Sequence, residues 1–378
     1  MFDDSRDVPR RLARWYRRAR RALPWRATRD PYAIWLSEVM AQQTTLDVVV
    51  PRWERFRARF PTVEALARAK ERDVLAEWSG LGYYARARNL HRAAKAVAAA
   101  GAFPGTLEGW RALPGVGAYT AAAVASIAYG IPEPVVDGNV VRVLCRLQAL
   151  RLDPKAPATL ARIRALARSL VPTRNPGDFN QALMELGALV CTPRAPRCGA
   201  CPLRRLCRAA ASGTPEAFPR AAARVPPRAI HLVGAIVERG KRILLVEDQE
   251  FVPGHLVVPL FRIPAGRRPE DLLRKGWKRL TGRNAGAPER VATLRHSVLE
   301  RRYLVALFTF KEDLPPLSSV ALPRRRFPQE HGIRALSPNQ ISRVAHGGLL
   351  LKVLVAWRAR RAAIRRKPER VARGGRTR

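Results

Sequence analysis

The sequence predicts a mainly α protein with a smaller α/β domain at its C-terminal end. Residues 1–212 carry apolar residues at helical spacing, separated by glycine and proline, with few runs of β-branched residues. From residue 229 the pattern changes to short runs that are typical of β-strands. Residues 213–228 are rich in proline and arginine, which predicts a linker between the two parts.

The length of 378 residues allows two domains. We assign residues 1–212 to the first domain and residues 229–356 to the second. Residues 357–378 contain ten Lys or Arg residues and one Glu, a composition that predicts a disordered basic tail.

A net charge of +40 points to a polyanionic partner, and nucleic acid is the first candidate. Arginine supplies 61 of the 70 basic residues; this suits bidentate phosphate contacts, although a GC-rich genome would produce the same bias. The acidic N-terminus is not a signal peptide, and no apolar run is long enough to span a bilayer. We expect a cytoplasmic, nucleoid-associated bacterial monomer without a membrane partner.

A carboxylate lies on an otherwise apolar helix of the first domain. Asp30 and Pro31 predict where this helix starts, because Asp is a favoured N-cap residue and proline is tolerated at the first helical position. Glu38 has no basic neighbour at helical spacing, since those positions hold Ile34, Trp35, Ala41 and Gln42.

A glycine turn precedes a helix of small residues. The turn consists of Leu113, Pro114, Gly115, Val116 and Gly117, and its free N–H groups together with the helix dipole can hold a phosphate. An ordinary packing corner is an equally good interpretation of these residues alone. A second glycine turn at 80–82 is followed by aromatic and arginine residues, and Asp137 precedes a further helix.

The second domain shows three further elements. Residues 231–237 and 242–246 flank the turn 238–241 and predict a β-hairpin. Residues 271–280 predict a helix and residues 302–310 another strand.

Four cysteines lie within residues 191–207 at the spacing C-x6-C-x2-C-x5-C. Four thiolates in a short loop predict a structural metal centre, either tetrahedral zinc or an iron–sulfur cluster. The ligands are Cys191, Cys198, Cys201 and Cys207. Cys145 occupies an apolar helix position and is expected to be a buried core thiol.

Several motifs together resemble one known family. These are WLSEVMAQQT at 35–44, GLGYY at 80–84, VDGNV at 136–140 and FNQAL at 179–183, together with the hairpin turn and the cysteine spacing. The chain resembles the helix-hairpin-helix DNA glycosylase superfamily, and within it the MutY-type adenine DNA glycosylases. The resemblance covers residues 9–210 and is loose over residues 229–356.

The resemblance implies a two-lobed helix-hairpin-helix glycosylase domain with an iron–sulfur loop and a Nudix-like C-terminal domain. It implies one 4Fe-4S cluster on the four cysteines, with zinc as the alternative that thiolate chemistry leaves open. The implied partner is double-stranded DNA that contains adenine mispaired with 8-oxoguanine or guanine.

The resemblance also implies the catalytic roles. Glu38 would be the general acid, Asp137 would stabilise an oxocarbenium-like sugar, and Asn139 would position sugar and water. Bifunctional relatives carry a Schiff-base lysine three residues after Val116, where this chain has Tyr119. Because the sequence has no lysine between Lys95 and Lys155, we expect a monofunctional glycosylase.

Recognition residues follow from the same resemblance. The adenine pocket would be lined by Trp25, Arg26, Gln181 and Met184. The DNA contacts would come from Gln43, Thr44, Tyr83, Arg86, Leu113, Gly115, Val116, Gly117 and His296, with Gln43 and Tyr83 inserted into the base stack.

The second domain departs from the family pattern. Its helix at 271–278 is basic and lacks the glutamates that would hold magnesium, so we do not expect nucleotide hydrolysis. In the loop at 295–303, Arg295, His296 and Ser297 are followed by Val298, Leu299 and Glu300, without the usual hydroxyl and histidine. We therefore expect a weakened preference for 8-oxoguanine.

Two other functions remain open at this point. One is a non-catalytic module that binds damaged DNA, and the other is a sibling glycosylase for another mismatched base, such as thymine.

Overall fold

The structure, a computed structural model, describes residues 7–220, 227–248, 250–251, 255–282, 284, 286–298, 301–310, 333–341 and 348–366. The chain folds as two units: residues 1–74 with 83–224, and residues 75–82 with 225–378. This division differs from the predicted domain limits, because the short segment 75–82 groups with the C-terminal unit.

Between residues 7 and 220 the regular secondary structure is helical. The α-helices are α1 (Asp7–Ala19), α2 (Pro31–Ala41), α3 (Leu46–Arg59), α4 (Val63–Arg68), α5 (Glu71–Glu77), α6 (Ala85–Ala100), α7 (Leu107–Ala112), α8 (Ala118–Ala128), α9 (Gly138–Leu147), α10 (Pro157–Leu170), α11 (Pro176–Leu189) and α12 (Arg208–Ala211).

Helix α2 begins where the sequence predicts. The Asp30 carboxylate accepts a hydrogen bond from the Tyr32 backbone N–H at 3.0 Å, and Pro31 takes the first helical position, where it sacrifices no helical hydrogen bond. From Tyr32 to Met40 every residue of α2 except Glu38 is buried. Packing on all sides therefore fixes the helix rigidly, and Glu38 is the one position of this run that keeps some exposure.

The helices form two groups, as the predicted two-lobed domain requires. Helix α2 packs against α3, α6 and α8, while α1, α9, α10 and α11 share a separate core that contains Leu12, Leu144 and Leu183. Helix α11 also contacts α8 and so joins the groups. Gly187 lets α11 approach α9 closely, since a Cβ there would lie 2.6 Å from the Asn139 Cβ.

The C-terminal unit is a smaller α/β domain, and the fold class predicted from the sequence is confirmed. Its elements are β1 (Arg228–Ile236), β2 (Glu238–Arg239), β3 (Arg242–Asp248), β4 (His255–Val257), β5 (Leu260–Arg262), α13 (Pro269–Thr281), β6 (Glu289–Val298), β7 (Arg301–Thr309), β8 (Ile333–Leu336), α14 (Pro338–Ile341) and α15 (Gly348–Arg366).

The strands in the described part of this unit form two four-stranded sheets. The first has the order β5-β1-β7-β6, with β1 and β7 parallel and in register from Arg228 opposite Arg301 to Ile236 opposite Thr309. The second contains β2, β3 and β4, with β8 paired to β3. Helix α13 packs on β1 and β5 through Leu273 and the buried Trp277, which gives the unit its apolar core.

The predicted hairpin is only partly right. The turn at 238–241 does join paired strands, but β3 pairs with the two-residue strand β2 and not with β1. Strand β1 is apolar along most of its length and lies inside the other sheet, between β5 and β7. A central strand buries more of such a sequence than one arm of an isolated hairpin would.

The predicted disordered tail is wrong for residues 357–366, which continue helix α15. Trp357 is buried, and two arginines of this segment, Arg360 and Arg361, have acidic partners. Arg360 contacts Glu238 at 3.5 Å and Glu289 at 3.1 Å, and Arg361 contacts Glu238 at 3.6 Å. Residues 367–378 lie outside the described part of the chain.

The predicted loop at 295–303 is also wrong in part. Arg295, His296 and Ser297 lie in β6, and β7 begins at Arg301, so that Val298 is opposite Arg301 in an antiparallel pair. Leu299 and Glu300 lie outside the described residues. No helix within the described part of the chain is long and apolar enough to cross a membrane.

Candidate active site

The buried helix α2 presents one carboxyl group to a tyrosine from the helix that follows the glycine turn. The Tyr119 hydroxyl donates to Glu38 Oε2 at 2.7 Å, and it lies 3.5 Å from the Met184 sulfur. Tyr119 is in the first turn of α8 and Met184 is on α11, so three helices meet at this carboxyl group.

The surroundings of Glu38 favour its protonated form. Burial raises the pKa of Glu38 above its ordinary value, and the charge of Asp137 adds to the rise. The hydrogen bond from Tyr119 acts in the opposite direction. Burial and the neighbouring Glu38 in turn hold the pKa of Tyr119 well above its usual range, so the tyrosine remains a donor. A carboxyl group with a raised pKa is suited to general acid chemistry.

Asp137 is fixed at the N-terminus of α9. Its Oδ1 accepts from the Val140 backbone N–H at 2.7 Å, and its Oδ2 accepts from Asn139 Nδ2 at 2.9 Å. The N-cap geometry therefore orients the carboxylate and does not compete with a second role.

A guanidinium continues this network toward the cysteine loop. Arg142 Nη2 donates to Asn139 Oδ1 and to the Gly187 backbone oxygen, and Arg142 Nε donates to the Cys191 backbone oxygen, each at 2.8 Å. Asn139 is therefore held on both sides, by Asp137 and by Arg142.

Two of the predicted base-pocket residues occupy a 3₁₀ turn at Pro24–Ala27. Arg26 donates to both oxygens of Glu185, at 3.0 and 2.9 Å, and Arg21 donates to the same carboxylate from its backbone and its side chain. Glu185 is only 1% exposed. Burial alone would raise the pKa of Glu185, but the hydrogen bonds from Arg21 and Arg26 outweigh it and hold the pKa at about 2.

Trp25 and Gln181 complete the description of the predicted base pocket. Trp25 is 8% exposed and packs on Trp53, with ring centroids 5.6 Å apart. Gln181 and Arg26 line one cavity of about 420 Å³ that also reaches the beginning of α11. Their role in base recognition stays a prediction.

The two predicted wedge residues share an uncommon backbone conformation. Gln43 and Tyr83 have φ angles of 57° and 48°, in the left-handed region, and both side chains are exposed. Gln43 directly follows the C-cap of α2, and Tyr83 precedes α6.

The predicted DNA contacts Thr44 and Arg86 lie next to these two residues. Thr44 donates from its hydroxyl to the Gln42 backbone oxygen at 3.3 Å. Arg86 turns its guanidinium toward backbone oxygens at the end of α2.

The glycine turn joins α7 to α8 and forms the predicted helix-hairpin-helix. Leu113 caps α7, the Val116 backbone N–H donates to the Leu113 oxygen at 3.1 Å, and Gly117 precedes α8. Gly115 has a φ of 76° and packs on α6, since a Cβ there would lie 2.4 Å from the Asn89 Cβ. Gly115 and Gly117 are exposed, so the turn is open to a ligand.

His296 lies in β6 opposite Tyr303 and is partly buried against its ring, with centroids 6.4 Å apart. Burial and the neighbouring Lys352 lower the pKa of His296, which favours the neutral ring. A DNA contact by His296 stays a prediction.

The four loop cysteines surround one small cavity together with Arg146. Arg146 is 2% exposed; it donates to the backbone oxygens of Thr192 and Pro193 and lies 3.4 Å from the Cys191 sulfur. Burial raises the pKa of Cys201 to about 12 and also raises that of Cys207. Within the described residues, no three or more His, Cys, Asp or Glu side chains form a group arranged to hold a single metal ion. Four soft donors around one space fit an iron–sulfur cluster in ligand chemistry.

The sequence did not point to three residues that hold the site together, whereas the prediction of a buried Cys145 is correct. Glu185, Arg142 and Arg146 were not singled out, although Glu185 lies one helical turn after Gln181 and Arg142 lies three residues after Asn139. Cys145 is fully buried, as predicted, and burial raises its pKa to about 11.

The hairpin and the three-helix site define a class of protein. Residues 36–172 match the family described as HhH-GPD superfamily base excision DNA repair protein. A solved thermostable thymine-DNA glycosylase is similar to the chain at 30% identity and a TM-score of 0.51, over 56% of this chain and 98% of that one. The chain belongs to the HhH-GPD superfamily of base excision DNA repair proteins.

Within this superfamily the chain is similar to adenine DNA glycosylases, which confirms the resemblance found in the motifs. It is 40% identical to the one from Rattus norvegicus over 304 residues, which is 65% of this chain and 59% of the relative. It is 37% identical to the one from Homo sapiens over 343 residues, which is 75% of this chain and 62% of the relative. The chain thus spans about three fifths of the length of these relatives.

Proposed function

We propose that the protein is a monofunctional DNA glycosylase that removes adenine mispaired with 8-oxoguanine or guanine. The observation that carries this proposal is the 2.7 Å hydrogen bond between Tyr119 and Glu38, on a carboxyl group whose pKa is raised by burial and by Asp137. Glu38, which favours its protonated form, thereby lies within electrostatic range of the Asp137 carboxylate. Glycosidic bond cleavage commonly uses such a pair, a proton donor and an anionic carboxylate.

The proposed reaction breaks the bond between C1′ of the sugar and N9 of adenine. Glu38 donates a proton to the adenine ring, so that the bonding electron pair leaves with a neutral base. Asp137 stabilises the positive charge that develops on the sugar. A water molecule adds to C1′ and returns its proton to the Glu38 carboxylate, which leaves free adenine and an abasic site.

The same site argues against strand cleavage. Tyr119 occupies the position at which lyase relatives carry lysine, and its hydroxyl is already bonded to Glu38. We therefore expect that sodium borohydride traps no covalent complex with abasic DNA. A trapped complex, formed as fast as base is released, would remove this part of the proposal.

Base identity is tested directly. The thymine-DNA glycosylase among the similar structures keeps a second candidate substrate open, thymine in a mismatch with guanine. Three duplexes are compared: adenine opposite 8-oxoguanine, adenine opposite guanine, and thymine opposite guanine. We expect free adenine from the first two and no free thymine from the third. Glu38→Gln and Asp137→Asn should each abolish release. A protein that binds these duplexes and releases no base would instead be a damage-binding module.

We also propose a 4Fe-4S cluster, held by Cys191, Cys198, Cys201 and Cys207. When bound, the cluster would link the four thiolates and so fix the loop structurally. The four cysteines line one cavity, which supports this assignment over scattered thiols. Iron and acid-labile sulfide should be found in about fourfold molar amounts in the purified protein. A preparation that contains zinc without sulfide would contradict it.

A further inference from the structure

Arg86 stands in the first turn of α6, where the helix dipole disfavours a cation. Its guanidinium is directed inward. Nη1 donates to the backbone oxygens of Val39 at 2.7 Å and Met40 at 3.0 Å and to that of Gln42, and Nη2 contacts the Thr44 hydroxyl at 3.3 Å. One side chain thus caps the C-terminal end of the helix that carries Glu38.

The same guanidinium lies over the Tyr83 ring, with its carbon 5.4 Å from the ring centroid. Arg86 therefore contacts the residues on both sides of Gln43 in the chain and also Tyr83 itself. Gln43 and Tyr83 are both non-glycine residues in the left-handed region, a conformation that persists only where surrounding contacts enforce it.

We propose that Arg86 is a positioning residue that holds Gln43 and Tyr83 in place as a preformed wedge for the DNA base stack. This inference rests on the proposed function, since a wedge matters only if the adenine leaves the duplex. Because the wedge is already ordered, binding does not have to order it, and less free energy is lost when its side chains enter the base stack.

A phosphate contact is the alternative role for Arg86, and the geometry argues against it. The guanidinium already donates to backbone oxygens and is partly buried, whereas Arg88, on the same helix, contacts the half-exposed Glu71 at 3.3 Å. Lysine could replace a phosphate contact, but its single ammonium cannot bond three carbonyl groups and also stack on a ring.

The test separates unstacking from chemistry. The measurement uses a Glu38→Gln background, in which the base is not released. A 2-aminopurine placed in the DNA beside the target adenine increases its fluorescence emission when the base stack opens. We expect Arg86→Lys to slow this increase by about tenfold, and Tyr83→Ala to do the same. The double variant should lose no more than either single variant, because both act on one wedge. Arg88→Lys, the matched control, should leave the emission unchanged.

Salt dependence distinguishes the two roles without any catalytic readout. Arg86→Gln should leave the slope of log affinity against log salt unchanged, whereas loss of a phosphate contact would reduce it by about 1. A reduced slope, a normal emission rise in Arg86→Lys, or additive losses in the double variant would each overturn the proposal. If wild type releases no adenine while these results hold, the proposed function fails and the wedge stands.

Thermal melting of each variant checks its folding. If Arg86→Lys does not fold, Thr44→Val removes the acceptor of Nη2, together with the bond from the Thr44 hydroxyl to the Gln42 backbone oxygen, and leaves the bonds of Nη1 in place. It should slow the emission rise in the same direction by a smaller factor. No slowing in Thr44→Val would then count against the proposal.

Discussion

Asn139 and Cys191 are bonded to the same guanidinium. Arg142 donates from Nη2 to the Asn139 side chain and from Nε to the Cys191 backbone oxygen, both at 2.8 Å. Asn139 in turn donates to Asp137. The first cysteine of the loop is therefore linked to the proposed catalytic carboxylate by three consecutive hydrogen bonds.

This link predicts that Arg142→Gln slows adenine release by about tenfold or more, because a hydrogen bond to a charged donor contributes about 1.5–3 kcal/mol. Single-turnover rates measure the effect, and metal content and thermal melting should be followed in parallel. Arg164→Gln, at an exposed position of α10, is the matched control. A normal rate in Arg142→Gln with its metal intact would show that the link does not position Asp137.

Tyr119→Phe should shift the pH dependence of adenine release to higher pH. The hydrogen bond from Tyr119 lowers the pKa of Glu38 against the effect of burial, so its loss raises that pKa further. A general acid works only while protonated, and the rate therefore falls as the pH passes above its pKa. Because the pKa of Glu38 is higher in Tyr119→Phe, the decrease of the single-turnover rate should begin at a higher pH than in wild type. A shift to lower pH would contradict this assignment of Glu38.

Local sequence signals predicted the parts of this molecule that depend on neighbours in the chain. Asp30 caps α2 as expected, and Asp137 caps α9. The contacts that complete the site join distant positions: Tyr119 lies 81 residues from Glu38, and Glu185 lies 159 residues from Arg26. Such pairs arise from tertiary packing, and local patterns in the sequence do not predict them.

The second domain was harder to predict for the same reason. A turn signal shows where a chain reverses, but it does not show which strand is the partner, and β1 lies in the other sheet. Composition misjudged residues 357–366, since an average over a basic segment conceals Trp357 and the acidic partners of Arg360.

Glu185→Gln should cost about 3 kcal/mol of unfolding free energy near neutral pH. The pKa of Glu185 falls from 4.5 to about 2 in the folded protein, and a shift of one unit corresponds to about 1.4 kcal/mol. A lowered pKa stabilises the fold above the unfolded value, and this stabilisation is lost as the pH falls from about 4.5 toward about 2. Urea unfolding at several pH values should show the difference between wild type and variant shrinking in that window. A difference independent of pH would contradict the role of the Glu185 carboxylate.

We expect the protein to remove adenine opposite 8-oxoguanine. Its preference for this duplex over the duplex with adenine opposite guanine should be smaller than that of a relative such as the human protein. The reason lies in the sequence after His296, where Val298, Leu299 and Glu300 replace the aromatic, hydroxyl and histidine residues that the family pattern has. Single-turnover rates on the two duplexes give the preference for both proteins. The triple variant Val298→Phe, Leu299→Ser, Glu300→His should increase it. An equal preference in the two wild-type proteins would refute the expectation.

Two truncations separate the roles of the basic C-terminal residues. Residues 367–378 carry five Lys or Arg residues and one Glu, so their removal should lower the salt dependence of DNA binding and leave thermal stability unchanged. Removal from residue 358 also deletes Arg360 and Arg361, whose contacts with Glu238 and Glu289 hold the end of α15. This longer truncation should therefore lower the melting temperature as well.

Binding measured over a range of salt concentrations, with thermal melting in parallel, tests both expectations. Equal melting temperatures for the two truncations would show that α15 does not need its last two turns, and an unchanged salt slope would exclude the basic end from DNA binding.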